Sequence, residues 1–225
     1  MPYPSDRPLS LPEWLVLCIA GEQPTYGFAV AGLLSRDGRL GRIWHVSKPA
    51  IYRAVLRLER LGLVQVAGQQ QTSQGPDGLL VTATRPGCMA ARGWLRQPVA
   101  HGRDVQPELL LKLALLDRAG GDPRELLREQ RAEFGALAAA LASQVETSTG
   151  FEHTLALWRH QAMSATMQFL DDVIQQAELA PAAWSNGHRR SRERRPLPGQ
   201  MIPPELAGSY NLGTLGEAEP QPSDP

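Results

Sequence analysis

Between residues 11 and 62 apolar positions recur every three to four residues, in three short runs. The first, LPEWLVLCIA (11–20), reads as a buried helix. Pro12 opens it, because a first-turn proline lacks only an N–H that has no partner there, and Gly21 stops it. After the turn GEQPT, Phe28, Val30, Leu33 and Leu34 give YGFAVAGLLSR (26–36) the spacing of a second helix. DGRLG resets the direction, and Ser47 then stands as N-cap, with Pro49 in the first turn, of a third helix over about 47–62. On that helix Ala50, Ile51, Ala54, Val55, Leu58 and Leu61 share one face. Lys48, Tyr52, Arg53, Leu56 and Arg60 project from the other, with Arg57 on the border, and Gly62 suits the stop.

The period then changes to two. LVQVAG alternates as a short strand, QQQTSQGPDG is a polar turn, and LLVTAT returns as a second strand, a hairpin with a long tip. Thr84 caps a further helix, GCMAARGWL, reaching about Leu95, and PVAHGRDVQ is a linker. Three helices followed by a hairpin is the order of a winged helix-turn-helix. From Pro107 the pattern is that of long helices. PELLLKLALLDRAG ends at Gly120 and Gly121, and Asp122, Pro123 and Glu125 open a helix to about Ser148 with a capping-box acid. Gly150 breaks that helix before a last one over about 151–179. There Phe151, Leu155, Trp158, Ala162, Ala165, Phe169 and Val173 alternate steps of three and four, the seam that packs helix on helix. That seam serves either an intramolecular core or an interface shared with a second copy, and the shared interface is the expectation.

The fold class expected is therefore mainly α: an N-terminal winged helix-turn-helix with a short β-hairpin wing, then a long-helix C-terminal dimerisation domain. The boundaries are 9–97 for the winged helix, 106–180 for the helical domain and 185–225 for a flexible tail. That tail is too rich in Pro and Gly to repay the entropy of ordering. Its HRRSRERR run is either a solvated charge cluster or a nonspecific grip on nucleic acid.

Charge sharpens this division. The chain carries 23 Lys+Arg and 23 Asp+Glu, but residues 1–104 hold 12 and 7, and residues 105–185 hold 6 and 11. Within 36–60 there are seven basic residues against Asp37 and Glu59, an asymmetry that suits an anionic partner. No stretch is long and apolar enough to span a membrane and the start has no signal-peptide pattern, so a cytoplasmic protein with no membrane partner is expected. Cys18 and Cys88 are either buried structural thiols or a redox-sensing pair. The five histidines are scattered, with no metal or catalytic set around them, so no enzyme, metal or cofactor is expected.

The residues also resemble a family, the PadR-type transcriptional regulators. Pro24, Tyr26, Gly27, Phe28 and Val30 are similar to its second-helix pattern. Ser47, Ile51, Tyr52, Val55, Leu58, Glu59, Gly62 and Leu63 resemble its third-helix pattern, and Thr84 and Gly87 the motif after its wing. The resemblance covers about 11–185. It departs at Leu56, where the family often has a cation, at Arg53, where it has a proline, and at a wing short of basic residues. It implies a DNA-binding repressor, acting as a homodimer and responsive to a small molecule or another signal.

On this reading double-stranded DNA is met by Tyr26, Arg39, Arg42, Ser47, Lys48, Tyr52, Arg53, Arg57, Arg60, Gln70 and Thr72. Lys48, Tyr52 and Arg53 are placed for bases or nearby phosphates, and Arg57 and Arg60 for phosphate. Phe151, Leu155, Trp158, Ala162 and Phe169 carry dimerisation, and Trp94, His101 and Trp158 border a ligand pocket. The alternative is a winged helix used only for protein interaction or dimerisation, without operator binding.

Overall fold

In the computed structural model, residues 7–72 and 75–179 are described, and no side chain of 68–77 is. Helix α1 (Leu11–Glu22) is started by Ser10, whose backbone N–H donates to the Glu13 carboxylate at 2.6 Å. Residues Leu15 to Ala20 are all buried, so this helix is wrapped on every side by its neighbours. Gly21 does not stop it: the helix runs two residues past Ala20, to Glu22, whose carboxylate is gripped by the Arg118 guanidinium at 2.6 and 3.0 Å.

A two-residue strand, β1 (Thr25–Tyr26), was not foreseen and pairs antiparallel with the returning wing strand. Helix α2 (Gly27–Leu33) starts only after it. The turns over 34–46 are closed by amides of Leu40 and Gly41 donating to the Leu33 carbonyl, with Leu40 and Val46 buried as plugs. Helix α3 (Lys48–Arg60) follows. It ends as expected: Gly62 has φ +68°, the Leu63 N–H donates to the Leu58 carbonyl and the Gly62 N–H to the Glu59 carbonyl. Ile51, Ala54, Val55 and Leu58 are buried, whereas Ala50 is half-buried and Leu61, at the helix end, is exposed.

Strands β2 (Val64–Thr72) and β3 (Gly75–Ala83) form the wing, and the sheet order is β1-β3-β2. The wing is more regular than the polar composition of its tip suggested, because pairing continues with irregularities to Thr72 opposite Gly75. Thr84 then does two things. Its hydroxyl oxygen accepts from the Gly87 N–H and donates to the Gly62 carbonyl, which fastens helix α4 (Arg85–Arg96) to the end of α3. A side chain at Gly87 has no room, since a Cβ there would run into the Leu63 carbonyl oxygen.

After short turns over 102–109, helix α5 (Leu110–Ala119) runs to Gly120, which has φ +69°. Helices α6 (Arg124–Thr147) and α7 (Gly150–Leu179) form an antiparallel pair. Its ends are matched by Arg128 with Glu178 at 3.0 Å and by the His153 ring with the Val145 carbonyl at 3.0 Å. The α6 start is not the expected capping box: Asp122 itself accepts from the Arg124 N–H and pairs with its guanidinium.

Helix α5, at the start of the expected helical domain, contributes to both cores. Leu111 and Leu115 of α5 are buried in the winged-helix core, while Leu109 and Leu113, beside them in sequence, are buried in the core of the helical pair. Gln130 of α6 closes the same junction, its amide accepting from the Val99 N–H at 2.6 Å and donating to the Val99 carbonyl at 2.9 Å.

Candidate nucleic-acid interface

The outward side of α3 is built by subtraction. Four apolar side chains are spent on the core, and at 100° per residue what remains faces away from it. Lys48, Tyr52, Arg53, Leu56, Glu59 and Arg60 are exposed, with Ser47 and Arg42 exposed just before them. Among the described residues, the side chains of Arg36, Arg42, Lys48 and Arg53 form no ion pair or hydrogen bond. The Arg60 Nε donates to the Leu56 carbonyl at 3.2 Å, and Arg39 lies 3.9 Å from Asp117 with its side chain mostly in solvent. Ser47 caps through its main chain, its carbonyl accepting from Ala50 and Ile51, with no side-chain cap bond.

Arg57 does not join this row. Its side chain is only 12% exposed, pairs with Glu13 at 2.6 Å and donates to the Arg7 carbonyl, also at 2.6 Å. Arg7 reaches the other Glu13 oxygen at 2.7 Å. Burial raises the Glu13 pKa, but the hydrogen bonds from Ser10 and Arg7 and the Arg57 charge outweigh it, so the carboxyl sits below its ordinary value. This is a structural clamp between the N-terminus, α1 and α3. The border position of Arg57 on the helical wheel was the signal for it, and the lone acid in the first turn of α1 was the partner to look for.

Phe28 differs from the expectation in the opposite sense. The sequence places it among the apolar positions of the second helix, yet it is 51% exposed and stacks on Tyr26 at 5.4 Å. Both rings press toward Gly78 of β3, where a Cβ would lie 3.0 Å from Tyr26 and 3.3 Å from Phe28. Tyr52 covers Gly27 at 3.3 Å from where its Cβ would be. Tyr26, Phe28 and Tyr52 thus gather where α2, α3 and the wing base meet. Gln70 and Thr72 fall on β2, opposite Gly78 and Gly75, and their side chains lie outside the described residues.

The three residues expected around a ligand pocket differ in burial. Trp94 is buried in the winged-helix core, stacked on Trp14 at 5.4 Å, with the Lys112 ammonium 4.7 Å from its ring centre. Lys112 is itself buried, 2.7 Å from both Glu108 and the Gln97 carbonyl; burial lowers its pKa and Glu108 opposes the shift. His101 is exposed after α4, and Trp158 is 66% exposed on α7. Cys18 is buried, and desolvation first, then the Glu22 charge, push its thiol pKa far up; burial also raises that of half-buried Cys88. Neither thiol is poised as a thiolate.

On α7 the side packed against α6 is Ala156, Met163, Leu170 and Ala177, one heptad apart. The expected seam lies beside it: Phe151, Trp158 and Ala162 are exposed, and Leu155 and Phe169 half-buried. Among the described residues no group of three potential metal ligands occurs, and no helix is long and apolar enough to cross a membrane.

No family model matches the chain. Among curated proteins it is similar to Ribosome-binding factor A of Koribacter versatilis (strain Ellin345), 34% identical over 102 residues, which are 40% of this chain and 83% of that protein. Among solved structures it is similar to Bacillus subtilis PadR in complex with operator DNA, with a TM-score of 0.39, 17% identity, and 74% of this chain and 99% of that one covered. It is also similar to smu.1604c from Streptococcus mutans UA159, with a TM-score of 0.35, 15% identity, and 72% and 98% covered. What its own elements identify is the architecture: a winged helix-turn-helix joined through a shared helix to a long antiparallel helical pair.

Proposed function

We propose that the chain is a sequence-specific DNA-binding transcriptional regulator that acts as a homodimer. The observation that carries this is the sorting of cations on and before α3. Arg57, where a structural partner exists, is clamped and buried, whereas Lys48, Arg53, Arg42 and Arg36 are exposed and, among the described residues, unpaired. A helix fits the major groove, where cations along its sides meet phosphates and side chains near its N-terminus reach base edges. Lys48, Tyr52 and Arg53 take base edges or nearby phosphates, and Arg42, Arg39 and Arg60 the phosphates. Each phosphate met releases counterions, so affinity falls steeply with salt.

One such helix touches few bases, and two half-sites about a helical turn apart suit a dimer. Phe151, Leu155, Trp158 and Ala162, with Phe169 half-buried against the helical core, supply its interface. The resemblance to PadR-type regulators adds repression relieved by a signal. For this, the signal must favour a non-operator geometry by the free energy it shifts, and α5, seated in both cores, supplies the mechanical link.

The test is selection of bound sites from a random DNA pool, followed by the double substitution Lys48→Ala with Arg53→Ala. Sharply weakened binding at unchanged thermal stability supports the reading, and equal loss of both assigns these residues to the fold. A second reading rests on the 34% identity to Ribosome-binding factor A: binding to the ribosome. Competition decides, because ribosomes displacing the selected DNA at equal concentration favour that reading.

A further inference from the structure

The most exposed apolar side chain on the outward side of α3 is Leu56, at 53%, and nothing within the fold accounts for it. It stands one helical turn after Tyr52, which covers Gly27, next to the exposed Phe28 stacked on Tyr26. Tyr52 and Leu56 thus form an apolar strip along α3, with Phe28 exposed beside the Gly27 that Tyr52 covers. Lys48 and Arg53 lie on the same outward side, Arg53 three residues before Leu56, and Arg42 precedes the helix. A strip meant for another protein's apolar surface is ordinarily depleted of charge at its centre; this one is interleaved with cations unpaired among the described residues. The surface that offers isolated apolar groups inside a dense negative field is the DNA major groove, where the only apolar feature of the base edges is the 5-methyl group of thymine.

We infer that Leu56, with Phe28 beside Tyr52, is a specificity determinant that reads thymine methyl groups in the half-site, while the cations around it position the helix on phosphate. This deepens the DNA-binding reading and rests on it. Leu56 follows Tyr52 by about 6 Å along the helix axis, roughly two base steps, so the strip meets thymines at closely spaced positions rather than a single one.

Deoxyuridine differs from thymidine by that methyl alone, which makes the test direct. Each thymine of the selected site is replaced in turn by deoxyuridine, and binding of the full chain is compared with that of Leu56→Ala and Phe28→Ala. At one or more positions per half-site the replacement weakens wild-type binding about fourfold, the loss that one unburied methyl group supports. In Leu56→Ala the penalty at one of these positions disappears, while the dependence on salt stays as in wild type. Both side chains are exposed, so the variants keep their thermal stability, and circular dichroism checks this.

Salt-dependent binding with no methyl penalty, or with a penalty unchanged in both variants, overturns this inference and leaves the DNA reading standing. Binding that is indifferent to salt and selects no sequence overturns both. A change in self-association in Leu56→Ala, without change in the methyl penalty, assigns the strip to a second copy and also overturns it.

Discussion

Arg57 and Arg53, four residues apart on one helix, show how position rather than residue type decides a cation's task. The Arg57–Glu13 pair is nearly out of water, so Arg57→Ala leaves a buried carboxylate held by Arg7 and the Ser10 N–H alone. Losing one partner of a buried pair costs about 3–5 kcal/mol, and the remaining Arg7 sets the expectation at the low end of that range. Denaturant unfolding reads the loss, and DNA affinity of the folded fraction stays near wild type. A Glu13 carboxyl held below its ordinary value contributes stability fully present above the unfolded-state pKa of about 4.3, and lost as pH falls through the lower folded value. In Glu13→Gln the acid-side slope of stability against pH flattens; an unchanged slope contradicts the clamp. The buried stripe Ile51, Ala54, Val55 and Leu58 was legible because burial on a helix follows its period. The border position of Arg57 was a signal, but its pairing was not legible, because its partners lie 44 and 50 residues away and no local pattern encodes such a pairing.

At the scale of elements, most starts and stops were legible where a backbone device fixes them. Gly62 and Gly120 end helices at positive φ, and Thr84 caps α4 as its position before a helical run implied. Strand β1 was hidden because two residues carry no period, and its existence depends on the paired strand 54 to 56 residues on. The wing tip was read as loop from its Gln, Ser, Pro and Gly content, and its pairing is a cross-strand fact. Gly62→Ala is expected to cost about 1 kcal/mol, because a Cβ is disfavoured at that φ but meets nothing within 4 Å. Gly87→Ala is expected to cost more, since its Cβ collides with backbone that Thr84 holds in place. Thermal melts of the two variants rank them, and the reverse order contradicts the packing described at the start of α4.

Across the whole molecule the consequential feature is that α5 belongs to both cores. Sequence runs marked its end at Gly120 but placed its start at Pro107 rather than Leu110, and did not show its double allegiance, because faces of a short apolar helix are indistinguishable until both neighbours are in place. The Glu22–Arg118 pair and the Gln130–Val99 bonds bracket the same junction. The chain is therefore expected to unfold in one transition by calorimetry and by far-ultraviolet dichroism alike, and two resolved transitions contradict the coupling. Trp158→Asp, on the outer side of α7, is expected to give monomers in sedimentation while the helical pair, packed through Ala156, Met163 and Leu170, stays folded. An intact dimer in that variant removes Trp158 from the interface.

The central claim, that the exposed cations on and before α3 meet DNA phosphate, is tested most directly by the salt dependence of binding to the selected site. The account predicts a straight fall of log affinity with log salt, whose slope shrinks by about 0.9 for each phosphate left unneutralised when a phosphate-facing cation such as Arg42 is changed to alanine. A flat response to salt, or a steep slope that Arg42→Ala, Arg60→Ala, Lys48→Ala and Arg53→Ala all leave untouched, contradicts it.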